Sequence, residues 1–150
     1  MARRDGEWCV VIDGESGEGG GEGEQVRLTM PATPQLMRVA RLTAAGLASR
    51  LGFSFDEIED VKIAVDELCF ALVGTKGREG SLTLVYWLQP DRLVIEGTGD
   101  FGGTSAGADG NAVTSELSAR ILSAVVDEHQ VDNRDGTISF RLVKRRTATA

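Results

Sequence analysis

The chain has 150 residues, of which 41% are hydrophobic and 26% charged, with a formal net charge of −7. That balance suits one globular domain with its own core, and the acid excess argues against nucleic acid as a partner, because phosphates call for a basic surface. No run of about 18 apolar residues is present to cross a membrane, and MARRDGEW at the start has no apolar signal-peptide core behind its arginines, so a cytoplasmic location is expected.

Residues 8–13, WCVVID, form a short apolar run that reads as a first strand. GESGEGGGEGE (14–24) holds six glycines and four glutamates and cannot bury enough surface to order itself. Residues 1–24 are therefore expected to be an N-terminal segment with a flexible, self-repelling linker, and the domain to span 25–145. QVRLTM (25–30) alternates Val26, Leu28 and Met30 against Arg27 and Thr29, the pattern of a half-buried strand ended by Pro31 and Pro34. From Gln35 to Leu51, apolar residues at 36, 39, 40, 44, 47 and 51 draw a helical stripe, and Gly52 stops it. Ser54 or Asp56 caps the next helix, which carries Glu57 and Glu59 near its positive end and runs to about Val73.

After a turn over 74–80, SLTLVYWL (81–88) and RLVIEGT (92–98) read as an antiparallel hairpin around Pro90-Asp91. GDFGGTSAGADGNAV (99–113) is glycine-rich and loop-like. Thr114 or Ser115 caps a helix to about Val126. VDEHQVDN (126–133) leads into a strand, Asp135-Gly136 turns, and TISFRLVK (137–144) is the last strand. KRRTATA is expected to be solvated, with 146–150 a disordered tail. Strands in runs with helices between them indicate an α+β, two-layer α/β sandwich, with a mostly antiparallel sheet and helices on one face.

Chemistry concentrates on AVDELCFALVG (64–74). The apolar face of this helix is Ile58, Val61, Val65, Leu68 and Leu72. Glu67 lies on another face with Asp60, Ala64 and Ala71, which could floor a pocket. Read alone, Glu67 is either a ligand-holding or catalytic acid, or an exposed helix acid paired with Lys62 or Arg78. The glycine-rich stretch lacks both GxGxxG and GxxxxGK[ST]. Cys9 and Cys69 are expected to be free thiols, and with the single His129 they make neither a metal site nor a nucleophile–base pair.

LTMPATPQLMRVAR, FDEIEDVKIAVDELCFALV, the hairpin into EGTGDFGG, SARILSAVVDEHQV and GTISFRLVK, in that order, resemble the RsbW-type serine-kinase anti-sigma factors of the GHKL ATPase family. The resemblance covers about residues 25–145, and D-x-x-x-A-V-D-E is its most specific part. It implies the histidine-kinase-like (Bergerat) ATPase fold. It also implies a homodimer that binds an alternative sigma factor and is countered by an anti-anti-sigma STAS protein. The family's helix motif is Glu-x-x-x-Asn, in which the glutamate activates the reacting hydroxyl and the asparagine holds the Mg²⁺ of ATP. Glu67 fills the first place and Ala71 the second, where a methyl group offers the cation no oxygen. The Asp-x-Gly-x-Gly box for adenine falls on Gly99 and Phe101, or on Asp100, Gly102 and Gly103 if the strand before it bulges by one residue. The glycine pair expected before the next helix reads AVTSELS. With three boxes altered, the resemblance implies an anti-sigma factor with weak or absent ATP binding and no required cofactor. The alternatives are an active serine kinase using Mg-ATP with Glu67 and Asp100, and an interaction module outside transcription. By the same resemblance, the sigma factor is gripped by the 35–51 helix, with Arg38, Arg41 and Arg50 as its charged face; on charge alone, the acids Asp56, Glu57, Glu59 and Asp60 are a second candidate surface for the basic residues of a DNA-binding sigma factor.

Overall fold

The computed structural model describes residues 9–13, 24–101, 115–134 and 137–147. The linker 14–23, Gly102 and Gly103, and the last three residues lie outside that set.

Ten elements follow in chain order: β1 (Cys9–Asp13), β2 (Glu24–Pro31), a 3₁₀ turn (Pro34–Leu36), α1 (Met37–Arg50), α2 (Phe55–Val73), β3 (Ser81–Gln89), β4 (Arg92–Asp100), α3 (Glu116–Val125), β5 (Glu128–Arg134) and β6 (Thr137–Arg145). The strands form one six-stranded sheet in the order β1-β2-β3-β4-β6-β5, and each neighbouring pair is antiparallel. The fold is therefore α+β, as the element order predicts. The apolar run at the chain start does form a strand, and its backbone pairs with β2 from Cys9↔Thr29 to Asp13↔Gln25.

Alternation along the strands decides which face is covered. Val26, Leu28 and Met30 of β2, Leu82, Leu84, Tyr86 and Leu88 of β3, Leu93 and Ile95 of β4, and Ile138, Phe140 and Leu142 of β6 are all buried in one core. In register, Leu28↔Leu84 and Tyr86↔Ile95↔Leu142 stack across the sheet. The helices pack on this face, and burying each such side chain contributes about 1.5–3 kcal/mol. Glycine enters β4 for lack of room: a Cβ at Gly97 would stand 2.3 Å from Phe140 Cε1.

The stripe on α1 keeps Ala40 and Ala44 at its centre, as expected, but is completed by Met37 and Ala48 rather than by the larger residues expected beside them. Met37, Ala40, Ala44 and Ala48 are the fully buried residues, while Leu36, Val39, Leu47 and Leu51 are partly buried at the margin. An alanine seam lets the helix axis approach the sheet closely. The larger side chains then fill the flanks, which a count of apolar residues does not reveal. The buried Tyr86 hydroxyl reaches this seam and donates to the Ala40 carbonyl at 2.9 Å, so its polar group is satisfied.

Of the two caps open for α2, the chain uses Ser54. Its hydroxyl accepts from the Glu57 N–H at 3.2 Å, and the Glu57 carboxylate accepts from the Ser54 N–H at 2.8 Å, a reciprocal capping box. Ser115 caps α3, accepting from the Ser118 N–H at 3.1 Å.

The chain end departs from the expected solvated KRRTATA. Lys144 Nζ donates to Asp60 at 3.1 Å and to the Val125 carbonyl at 2.8 Å. The Arg146 N–H donates to the Asp91 carbonyl at 2.8 Å. Both the N–H and the hydroxyl of Thr147 donate to Glu57. β6 ends beside α2, and buried acceptors there need donors. The charged residues that look like a solvated run in sequence therefore become a strap.

Candidate functional site

α2 lies between the other two helices and turns a different polar edge toward each. Toward α1, Asp66 pairs with Arg41 at 3.0 Å, above the buried Cys69 and Val73. Toward α3, Glu67 and Asp60 bracket the fully buried Ala64. The face expected to floor a pocket is thus covered by α3.

Glu67 is half-buried, and its partner is neither Lys62 nor Arg78. The Ser118 hydroxyl, on the first turn of α3, donates to Glu67 Oε2 at 2.7 Å. Ser118 in turn accepts from the Ser115 hydroxyl at 3.1 Å. Lys62 pairs with Glu59 at 2.9 Å. The Arg78 guanidinium lies 5.0 Å from the centroid of the Phe101 ring. Spacing along α2 alone could not find Ser118, which is 51 residues away. Its only sequence signal is its place three residues after the cap. Ala71, one turn beyond Glu67, is half-buried and packs against the core.

Asp100 sits at the end of β4, opposite Ser81. The ladder runs to it without a bulge, so its exposed side chain alternates away from the face of Gly97 and Gly99. Glu67 lies on the helix side of the sheet, and the structure does not bring the two carboxylates together. On that side, the Phe101 ring lies over Gly99, where a Cβ would overlap it.

The three arginines of α1 point to different neighbours. Arg38 is exposed, Arg41 is engaged by Asp66, and Arg50 pairs with Glu24 at 2.7 Å at the far end of the helix. Leu42, one turn from Arg38, is 57% exposed. Ile63 and Phe70, two turns apart on α2, are also exposed. Among the acids at the start of α2, Asp56 is exposed, Glu59 and Asp60 are paired with lysines, and Glu57 is buried. Burial pushes the Glu57 carboxyl up, but hydrogen bonds from Thr147 and Ser54 outweigh it and hold its pKa at about 2.

Burial, and then the charge of Asp66, pushes the Cys69 thiol well above its ordinary range, which makes it inert as a nucleophile. His129 lies on β5 with Nε2 3.3 Å from the Ser123 hydroxyl. Among the described residues, no group of three or more His, Cys, Asp or Glu side chains could hold a metal ion, and no helix is long and apolar enough to cross a membrane.

No family model matches the sequence. Among curated proteins, the chain is 42% identical over 74 residues to a serine-protein kinase RsbW of Bacillus cereus, covering 48% of this chain and 46% of that protein. It is 40% identical over 74 residues, with the same coverage, to the RsbW serine-protein kinases of Bacillus mycoides and Bacillus thuringiensis. The alignment spans about half the length of the curated relatives it matches. The likeness supports an RsbW-like family.

Proposed function

We propose that this chain is an anti-sigma factor of the RsbW type, with the histidine-kinase-like ATPase fold and a nucleotide site that has decayed. It sequesters an alternative sigma factor as a homodimer and is released by an anti-anti-sigma STAS protein. The likeness to the RsbW kinases supports the family part of this reading. The observation that carries the rest is on α2, where Glu67 is kept but Ala71, one turn on, presents a methyl group.

The residues present do not fit Mg-ATP. Magnesium takes oxygen ligands in a near-octahedral set, and Ala71 supplies none. The Phe101 ring lies over Gly99, and Asp100 projects from the other face of the sheet. Arg38 and Leu42 on α1, with Ile63 and Phe70 on α2, give the helical layer a charged and apolar outer surface, which suits a protein partner.

The test is affinity capture of the tagged chain from its own cells, with the partners identified by mass. A sigma factor and a STAS protein are expected, and repeated capture that recovers neither would sink the reading. Glu67→Ala is expected to leave sigma-factor affinity within a few-fold.

One observation favours a second reading, an active serine kinase: Glu67 already accepts a serine hydroxyl, the geometry a general base needs. Millimolar Mg-ATP separates the two. It leaves the melting temperature unchanged for the binder and raises it for the kinase.

A further inference from the structure

The two edges of the sheet are built differently. β5, at one edge, carries Glu128, Asp132 and Arg134 and is separated from β6 by two residues. Interspersed charge is an ordinary protection of an edge strand. β1, at the other edge, is CVVID: five residues, one charge at its end, and neither lysine nor proline. Ten residues, GESGEGGGEG, separate it from β2, where adjacent antiparallel strands commonly need about two to five. β2 is anchored without β1. All eight of its residues pair with β3, from Glu24↔Leu88 to Pro31↔Ser81, and Glu24 is held by Arg50 of α1 at 2.7 Å. β1 covers only Gln25 to Thr29. In the middle of that stretch, Arg27 is exposed and has no ion-pair partner among the described residues. β1 sets Val11 opposite it.

We propose that β1 is an exchangeable strand and that the outer edge of β2 is a docking site for a partner protein. The incoming segment is extended and sets an acidic residue, between β-branched neighbours, opposite Arg27. It takes over the ladder hydrogen bonds that β1 gives up, so main-chain pairing is exchanged one for one. Its carboxylate adds a cross-strand ion pair that Val11 does not supply. β1 competes as a tethered strand at an effective concentration of about millimolar, so the intact chain admits only segments that pair better than β1 does. The site rests on the sheet edge alone and stands or falls apart from the anti-sigma reading.

Two labelled peptides test this by fluorescence anisotropy against the full-length chain at low salt: residues 8–13, WCVVID, and the same peptide with Val11→Glu. In the chain, the double variant Val10→Pro, Val11→Pro disables β1 in place. One of the two prolines falls on a ladder N–H whichever way the ladder alternates. This variant is expected to bind the Val11→Glu peptide at least about tenfold more tightly than the wild type does, and to bind it a few-fold more tightly than WCVVID. Arg27→Ala in the same background is expected to make the two peptides equal. In the wild type, native-state hydrogen exchange is expected to be at least about tenfold faster at the β2 amides that face β1 than at those that face β3. That measurement reads the exchange of β1 even if the proline variant does not fold. Equal protection along β2 overturns the exchangeable strand. So does a proline variant, folded by circular dichroism, that binds no more tightly than the wild type. Equal affinity for the two peptides with Arg27 in place, or a preference that survives Arg27→Ala, overturns the acidic partner and leaves β1 of a second copy as the occupant.

Discussion

The first two turns of α2 and its stretch from Glu67 to Ala71 both carry carboxylates facing other elements, and they use them differently. At the start of the helix, Glu57 takes three donors, the Ser54 N–H and the Thr147 N–H and hydroxyl, beside the positive helix end. One turn on, Asp60 meets a lysine whose side chain is 13% exposed. Further along, Glu67 has one serine hydroxyl, and Ala71 has no polar atom beyond its backbone. Acids that hold the fold together are saturated with partners. The acid where a site would be is held by a single neutral donor, which an incoming group could replace.

The largest effect is expected at the saturated end. Glu57→Ala removes the carboxylate half of the capping box and orphans the Thr147 donors, and should cost about 3 kcal/mol in urea unfolding. The same group sets an acid limb. Its pKa is about 2 in the fold against an ordinary 4.5, so its contribution is complete above about 4.5 and is lost as pH falls toward 2. A Glu57→Gln protein should show a flatter stability profile over that window, and an unchanged slope would show that the Thr147 strap is not engaged in solution.

Lys144→Ala, which strands Asp60 and the Val125 carbonyl, is expected to cost about 1–2 kcal/mol by the same measurement. Ser118→Ala should cost about 1 kcal/mol or less, because Glu67 can turn to water. Amide exchange should quicken in α3 while β3 and β4 stay protected. If Ser118→Ala cost as much as Glu57→Ala, the contrast between the two stretches would collapse. The smallest effect is expected for Arg50→Ala. Its pair with Glu24 is more than half exposed on the arginine side, and its loss should stay within about 0.5 kcal/mol.

Local pattern was enough to place β2, α2, the β3–β4 hairpin and β6, because strand alternation and helix periodicity are properties of neighbours in the chain. It also singled out Glu67 and Ala71. It missed the partners that give those residues their roles. Ser118 is 51 positions from Glu67, and Thr147 is 90 from Glu57. A serine after a helix cap and a threonine in a basic tail carry no local sign of either contact. The marginal place of Leu36, Val39, Leu47 and Leu51 on α1 has the same origin, since the sheet accepts an alanine seam more closely than it accepts leucines.

By itself, then, the sequence determined the kinds of elements, their order, the sidedness of the sheet and the methyl group one turn beyond Glu67. Tertiary structure alone decided that the chain end straps α2, that Ser118 takes Glu67, and that the edge of the Phe101 ring meets Gly99. The physical reason is one of range. Propensity and periodicity act over a few residues, whereas satisfying a half-buried carboxylate or seating a ring on a glycine depends on which distant segment the closed sheet brings alongside.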